Sequence, residues 1–155
     1  MPAKPVPEGV HTITPHLTVK NAAKAIDFYK QVFGAEEVSR NLGPDGKIMH
    51  ASLKIGDSLL MLNDEFPGQS TSAETPGGTN VTLHIYTDNV DALFDRAVKA
   101  GAKTTMPLAD QFWGDRYGQV VDPFGQRWSL ATRKEELTPQ QVDERARAFF
   151  AKMAS

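Results

Sequence analysis

The chain has four histidines, and three of them, His16, His50 and His84, fall in segments that alternate polar and apolar residues. An imidazole titrates near neutrality and also ligates transition metals, so three on cavity-facing strand sides would suit proton transfer or metal binding. No Asp or Glu is placed on the same strand faces to complete a ligand set, and a strand histidine is more often a hydrogen-bonded pocket or core residue. Ser129, Thr14 and Thr82 add hydroxyls, with no base beside them that the sequence identifies. Phe112, Trp113, Tyr117 and Trp128 crowd the second half with aromatic rings, some of which must be core. Trp113, next to Gly114 in a turn-like stretch, is the candidate for stacking on a planar ligand. Arg116 and Arg127 have the fork geometry that pairs with carboxylate or phosphate, and Arg127 reads equally well as a surface residue.

Composition removes other chemistries. There is no cysteine, which excludes disulfides, thiolate metal sites and cysteine nucleophiles. The net charge is −2 and no basic stripe appears, so a nucleic-acid backbone is not an expected partner. No apolar run approaches a membrane span, and the segment Met1-Pro2-Ala3-Lys4-Pro5-Val6-Pro7 lacks the apolar core of a signal peptide. The expected compartment is the cytoplasm, with no membrane partner. At 155 residues, 40% hydrophobic and 23% charged, the chain suits a single globular domain with its own core.

These side chains need elements to hold them, and the elements occur twice. The segment from Thr14 through His16 to Asn21 resembles that from Thr82 through His84 to Asn89. The spacing from His16 to His84 also carries Ile26 onto Phe94 and Asp27 onto Asp95. Each copy begins with a strand (12–19 and 80–87) whose apolar side includes Ile13, Leu17 and Val19, or Val81, Leu83 and Ile85. An Asn suited to capping then starts a helix: Asn21 before Ala22, Ala25, Ile26, Tyr29 and Phe33, and Asn89 before a helix at about 90–100. Gly34-Ala35 and Gly101-Ala102 end the two helices. Three further strands follow in each copy, near 36–42, 47–55 and 58–63, then near 103–110, 116–122 and 126–132. Pro44-Asp45-Gly46, Gly56-Asp57 and Asp122-Pro123-Phe124-Gly125 are turns. The fold class is therefore α+β, with two tandem βαβββ modules (12–63 and 80–133) forming a curved mixed sheet around a cleft. Between them, residues 64–79 are rich in Gly, Ser, Thr and Pro and read as a linker or mobile flap, in which Asp64-Glu65 is solvated. A C-terminal helix over 139–153, capped by Thr138 with Pro139 and Gln141, would lay Val142, Ala146, Phe149 and Phe150 on the body or on a neighbouring subunit.

The polar strand faces carry Thr14, His16, Thr82, His84 and Tyr86, without the Lys and Glu of a solvated sheet. With the apolar faces under the helices, and with His50 opposite Met49, Ala51, Leu53 and Ile55, these faces would line a sheltered concavity, the usual form of a small-molecule site. A second, hydrogen-bonded core is the plainer alternative.

The repeated pattern, with Ala25-Ile26-Asp27-Phe28-Tyr29, Val32-Phe33-Gly34-Ala35, Asp88-Asn89-Val90-Asp91-Ala92-Leu93, Ala100-Gly101-Ala102 and Asp122-Pro123-Phe124-Gly125, resembles the vicinal oxygen chelate superfamily. This is the superfamily of glyoxalases, bleomycin-resistance proteins and extradiol dioxygenases. Phe112-Trp113-Gly114-Asp115-Arg116-Tyr117-Gly118 and Arg127-Trp128-Ser129-Leu130-Ala131-Thr132 are similar to its PhnB-like branch. The resemblance covers about residues 12–133. It implies metal ligands from the first and last strand of each module, typically His and Glu. Those positions fall here on Thr14, Met61, Thr82 and Ser129, whose hydroxyls and thioether hold a hard or borderline divalent ion weakly.

Two functions follow as expectations. One is a metal-independent, cofactor-free protein that holds an aromatic or anionic small molecule, with His16, His50, His84, Tyr86, Trp113, Arg116 and Ser129 as its ligand-binding residues. The other is a glyoxalase-like lyase or isomerase that uses the cavity histidines, with or without a non-standard metal site. The resemblance also implies a homodimer.

Overall fold

The computed structural model describes residues 4–43 and 45–154, so Met1–Ala3 and Pro44, on which two of the readings above partly fall, lie outside the described residues. The chain divides into two compact units, one ending at Thr79 and the other starting at Asn80. Unit 1 runs β1 (His16–Val19), α1 (Ala22–Phe33), β2 (Glu36–Leu42), β3 (Ile48–Ile55) and β4 (Ser58–Asp64). Unit 2 runs β5 (Thr82–Tyr86), α2 (Val90–Lys99), β6 (Lys103–Asp110), β7 (Asp115–Val121) and β8 (Arg127–Arg133), followed by α3 (Pro139–Met153). Each unit is thus a βαβββ module with a four-stranded mixed sheet. The strand orders are β1-β4-β3-β2 and β5-β8-β7-β6, and in each the first strand pairs in parallel with the last.

The helices start where local chemistry dictates. Asn21 and Asn89 have nearly identical backbone angles, and their side chains accept hydrogen bonds from the amides of Lys24 and Ala92. At its other end α1 stops at Gly34, whose φ of 66° is left-handed and strains any residue with a Cβ. A further bond ties each helix to its own sheet. In unit 1 the Asp64 carboxylate accepts from the first helical amide, Ala22 N at 2.8 Å, and from Ile48 N of β3 at 2.7 Å. In unit 2 the Thr132 hydroxyl accepts from Val90 N at 2.9 Å and donates to Thr87 O at 2.8 Å. Both acceptors come from the last strand, at equivalent places in the repeat.

Apolar residues fill the space between helix and sheet. Ala25, Ile26, Tyr29 and Val32 of α1 are buried, as are Ile48, Ala51, Leu53 and Leu62 of the strands. In unit 2 the buried set is Val90, Leu93 and Ala97 with Val120, Trp128 and Leu130. Gly118 lets this layer close: a Cβ there would stand 2.7 Å from Cε2 of Phe94 and 3.0 Å from the Met106 carbonyl.

Several expectations are corrected. The first strand begins at His16, so Ile13 lies outside it and is 86% exposed rather than core-facing. Val81 precedes β5 and is exposed, and Met49 is exposed although Ala51 and Leu53 beyond it are buried; a register irregularity at Asn41/Leu42 on β2 interrupts the alternation there. Asp64 is not solvated but 8% exposed, because β4 runs one residue further than its apolar run suggests. Residues 65–79 contain no helix or strand but are tied down, with Glu65 accepting from Ser72 and from Thr75, the latter at 2.7 Å. The helix α3 has its capping box, yet none of its residues is buried; its main apolar contact is Phe149 on the Phe112 ring, centroids 5.2 Å apart.

Removing the Asp64 carboxylate leaves two buried amides without an acceptor. Asp64→Ala is expected to cost about 3 kcal/mol in chemical denaturation, and Asp64→Asn, which keeps one acceptor oxygen, distinctly less.

Candidate functional site

The helices cover one face of each sheet, and the residues between the helix-facing ones turn to the other. In unit 2 that open face carries His84 and Tyr86 of β5, Ser129 of β8, and Asp115, Tyr117 and Gln119 of β7. The register sets His84 beside Ser129, and Ser129 beside Gln119. His84 Nδ1 and Ser129 Oγ form a 2.6 Å hydrogen bond, and Ser129 is only 3% exposed. The His84 ring meets the edge of Tyr86 at 4.4 Å between centroids and stacks on Tyr117 at 5.9 Å. Below them lies Asp115, 4% exposed, whose Oδ2 accepts from the Tyr86 hydroxyl and from Trp113 Nε1, each at 3.1 Å. Trp113 also meets the Tyr117 ring edge-on, and Gln119 donates to the Tyr117 hydroxyl at 2.8 Å.

Six of the seven expected ligand-binding residues therefore form two clusters within unit boundaries, and the seventh, Arg116, is placed separately. His84, Tyr86, Trp113 and Ser129 stand together. His16 and His50 stand together in unit 1, ring centroids 5.5 Å apart. Arg116 points to the helix side, where it grips Asp91 of α2 at 2.9 Å and Asp110 of β6 at 3.3 Å. These bonds hold the Asp91 carboxyl below its usual range, so Arg116 is occupied in joining α2 to the sheet. Sequence reasoning missed Asp115, Tyr117 and Gln119 as members of this network. The signal available was the alternation of β7 itself, which places residues 115, 117 and 119 on the face opposite Arg116. Also missed was Arg133, which with Tyr86, Thr87, Asp88 and Thr132 lines an open depression of about 740 Å³ at the end of the open face.

The network fixes protonation states. Burial holds the His84 imidazole below its ordinary 6.5, with the Asp115 carboxylate pulling in the opposite direction. Partial desolvation and the nearby Asp115 charge hold the Tyr86 phenol above its ordinary range, so it remains a donor to Asp115. With Nδ1 engaged by Ser129, His84 Nε2 has no protein partner among the described residues. A neutral imidazole with one free nitrogen, walled by aromatic rings, can bond a ligand hydroxyl or carbonyl, or accept a proton. Ser129 is too enclosed to attack a substrate itself and acts by orienting the ring.

The ligand positions that the family resemblance implies fail the test of donor chemistry. Ser129 Oγ is spent on His84, Thr14 Oγ1 bonds the His11 carbonyl at 3.4 Å, and Met61 offers a thioether. Among the described residues, no group of three His, Asp or Glu side chains stands together as a metal ligand set. The hard or borderline divalent ion of that resemblance does not fit these residues.

Known proteins agree with this architecture. A family model described as Glyoxalase/Bleomycin resistance protein/Dioxygenase superfamily matches residues 9–130. The uncharacterized protein Mb0911c of Mycobacterium bovis is 48% identical over 134 residues, covering 84% of this chain and 88% of that protein. The solved structure of the Arabidopsis thaliana At5g48480 product superposes with a TM-score of 0.65 at 29% identity, covering 78% of this chain and 98% of that one. The PhnB protein from Bacillus cereus superposes with a TM-score of 0.66 over 79% of this chain and 99% of that one; at 20% identity it is a likeness of fold.

Because the folded pKa of His84 is the lower one, the unfolded chain takes up the proton first as pH falls. The stability associated with neutral His84 is present above pH 6.5 and is lost as pH drops through the lowered value. An NMR titration should find His84 titrating below 6.5, and His84→Gln should flatten the acid-side loss of stability below that pH.

Proposed function

For a chain that belongs to the glyoxalase, bleomycin resistance protein and dioxygenase superfamily, we propose metal-independent binding of a planar aromatic compound on the open face of unit 2. The carrying observation is the 2.6 Å bond between His84 and Ser129, which presents His84 Nε2 beside Tyr86, Tyr117 and Trp113. Aromatic walls supply contact area, and a few fixed polar groups supply orientation, which is the common composition of ligand sites. An anionic substituent would reach Arg133, which is exposed at the rim of the adjoining depression. Arg116 has no part in this reading, since two carboxylates already hold it. The protein would work in the cytoplasm, as its sequence suggests, and as a homodimer, as the family resemblance implies; among the described residues no helix is long and apolar enough to cross a membrane.

One observation favours an enzyme as the second reading. A neutral, oriented His84 is a general base, and proton abstraction at a carbon next to a carbonyl would need no metal if the second N–H of the Gln119 amide steadied the developing oxyanion. The two readings differ in turnover, not in the site.

Isothermal titration with 2-naphthoate, 1-naphthol and indole tests the binding claim. At least one should bind, unaffected by prior chelator treatment, and His84→Ala or Tyr117→Leu should weaken it about tenfold, roughly 1.4 kcal/mol, without loss of fold. If none binds with an affinity that depends on His84, the proposal fails. Sedimentation equilibrium checks the dimer.

A further inference from the structure

The open face of unit 1 repeats the unit 2 arrangement with different atoms. His16 takes the place of His84, because each pairs with the fourth strand of its module, at Met61 and Ser129 respectively. Met61 faces Ser52 across β3–β4 as Ser129 faces Gln119 across β7–β8, so His50, two residues before Ser52, takes the place of Tyr117. The ring pairs correspond too: His16 and His50 are 5.5 Å apart and His84 and Tyr117 5.9 Å. Hydroxyl and phenol in one unit are thioether and imidazole in the other.

We infer that His16, His50 and Met61 form a binding site for copper(I) in unit 1. A soft thioether and two borderline imidazoles are a neutral donor set suited to a low-coordinate univalent copper ion, and among the described residues no carboxylate accompanies them to favour a harder ion. His50 Nε2 is engaged by Ser52 Oγ at 3.2 Å, which fixes the ring and leaves Nδ1 as its coordinating nitrogen. Metal-bound histidines characteristically have such a partner on the second nitrogen. His16 is exposed and His50 and Met61 half-buried, so an ion can reach all three from solvent. The site differs from the family-type one in metal and in most of its residues: Met61 stands at one of the family-type positions, but His16 and His50 stand at none, and all three donors come from one unit. It is also independent of ligand binding on unit 2.

The test is anaerobic titration of the full chain with the copper(I)–ferrozine complex, following the loss of its colour. The wild-type protein should withdraw one equivalent of copper(I). His16→Ala, His50→Gln and Met61→Leu should each weaken the affinity tenfold or more, while His11→Ala, which removes a histidine of the N-terminal segment, should not. His50→Gln keeps a side chain able to bond Ser52, and circular dichroism confirms that each variant is folded. Copper X-ray absorption of the loaded protein should contain a sulfur scatterer that Met61→Leu removes. Failure to withdraw copper(I), or withdrawal unchanged by His50→Gln, overturns the site; a spectrum without sulfur overturns the role of Met61.

Discussion

Everything about the open faces depends on how each helix is fastened to its sheet. The first amide of α1 and of α2 would be left without a partner where the helix lies on the sheet, and the last strand supplies the acceptor: Asp64 to Ala22 and Thr132 to Val90. A carboxylate serves two amides, from α1 and β3, whereas a hydroxyl serves one amide and returns a bond to the Thr87 carbonyl. Either way, helix start and strand end are locked together. Once the helix is fixed over one face, strand alternation sends every second side chain to the other. That geometric consequence, rather than any motif, brings His84 and Ser129 within 2.6 Å.

The two modules then differ in what the same frame presents. Unit 2 builds a connected network in which the buried Asp115 carboxylate takes both the Tyr86 hydroxyl and the Trp113 indole. Such a carboxylate organises two aromatic rings at once and sets their polar ends, so the walls beside His84 are held before any ligand arrives. Unit 1 has no counterpart of Asp115: the residue that the repeat aligns with it is Ile48, which the register irregularity beside β2 leaves in the core and which donates its amide to Asp64. A preorganised hydrogen-bonding surface and a soft-donor surface are thus two uses of one scaffold.

Much of this was legible before the fold was known. The repeat, the capping asparagines, Gly34 and the strand alternation are local signals, and each element falls within a few residues of where they place it. The family resemblance rests on the same signals in sequence order. What escaped was non-local. Whether Asp115 or Arg116 faces the open side depends on the register of β7, and a shift of one residue exchanges the faces. The start of a strand is the least marked part of the pattern, which is why Ile13 and Val81 look inward on paper and are exposed in the structure. Asp64 reads as linker because a charged residue ends an apolar run; only the approach of α1 and β3 gives it two amides to accept from.

The most direct test of the central claim is a crystal structure of the protein soaked with 2-naphthoate. The account predicts the naphthalene ring against Tyr86, Tyr117 and Trp113, with a ligand oxygen in hydrogen-bond range of His84 Nε2 and the His84–Ser129 bond intact. A ligand bound elsewhere, with the open face of unit 2 bearing only solvent, would contradict it.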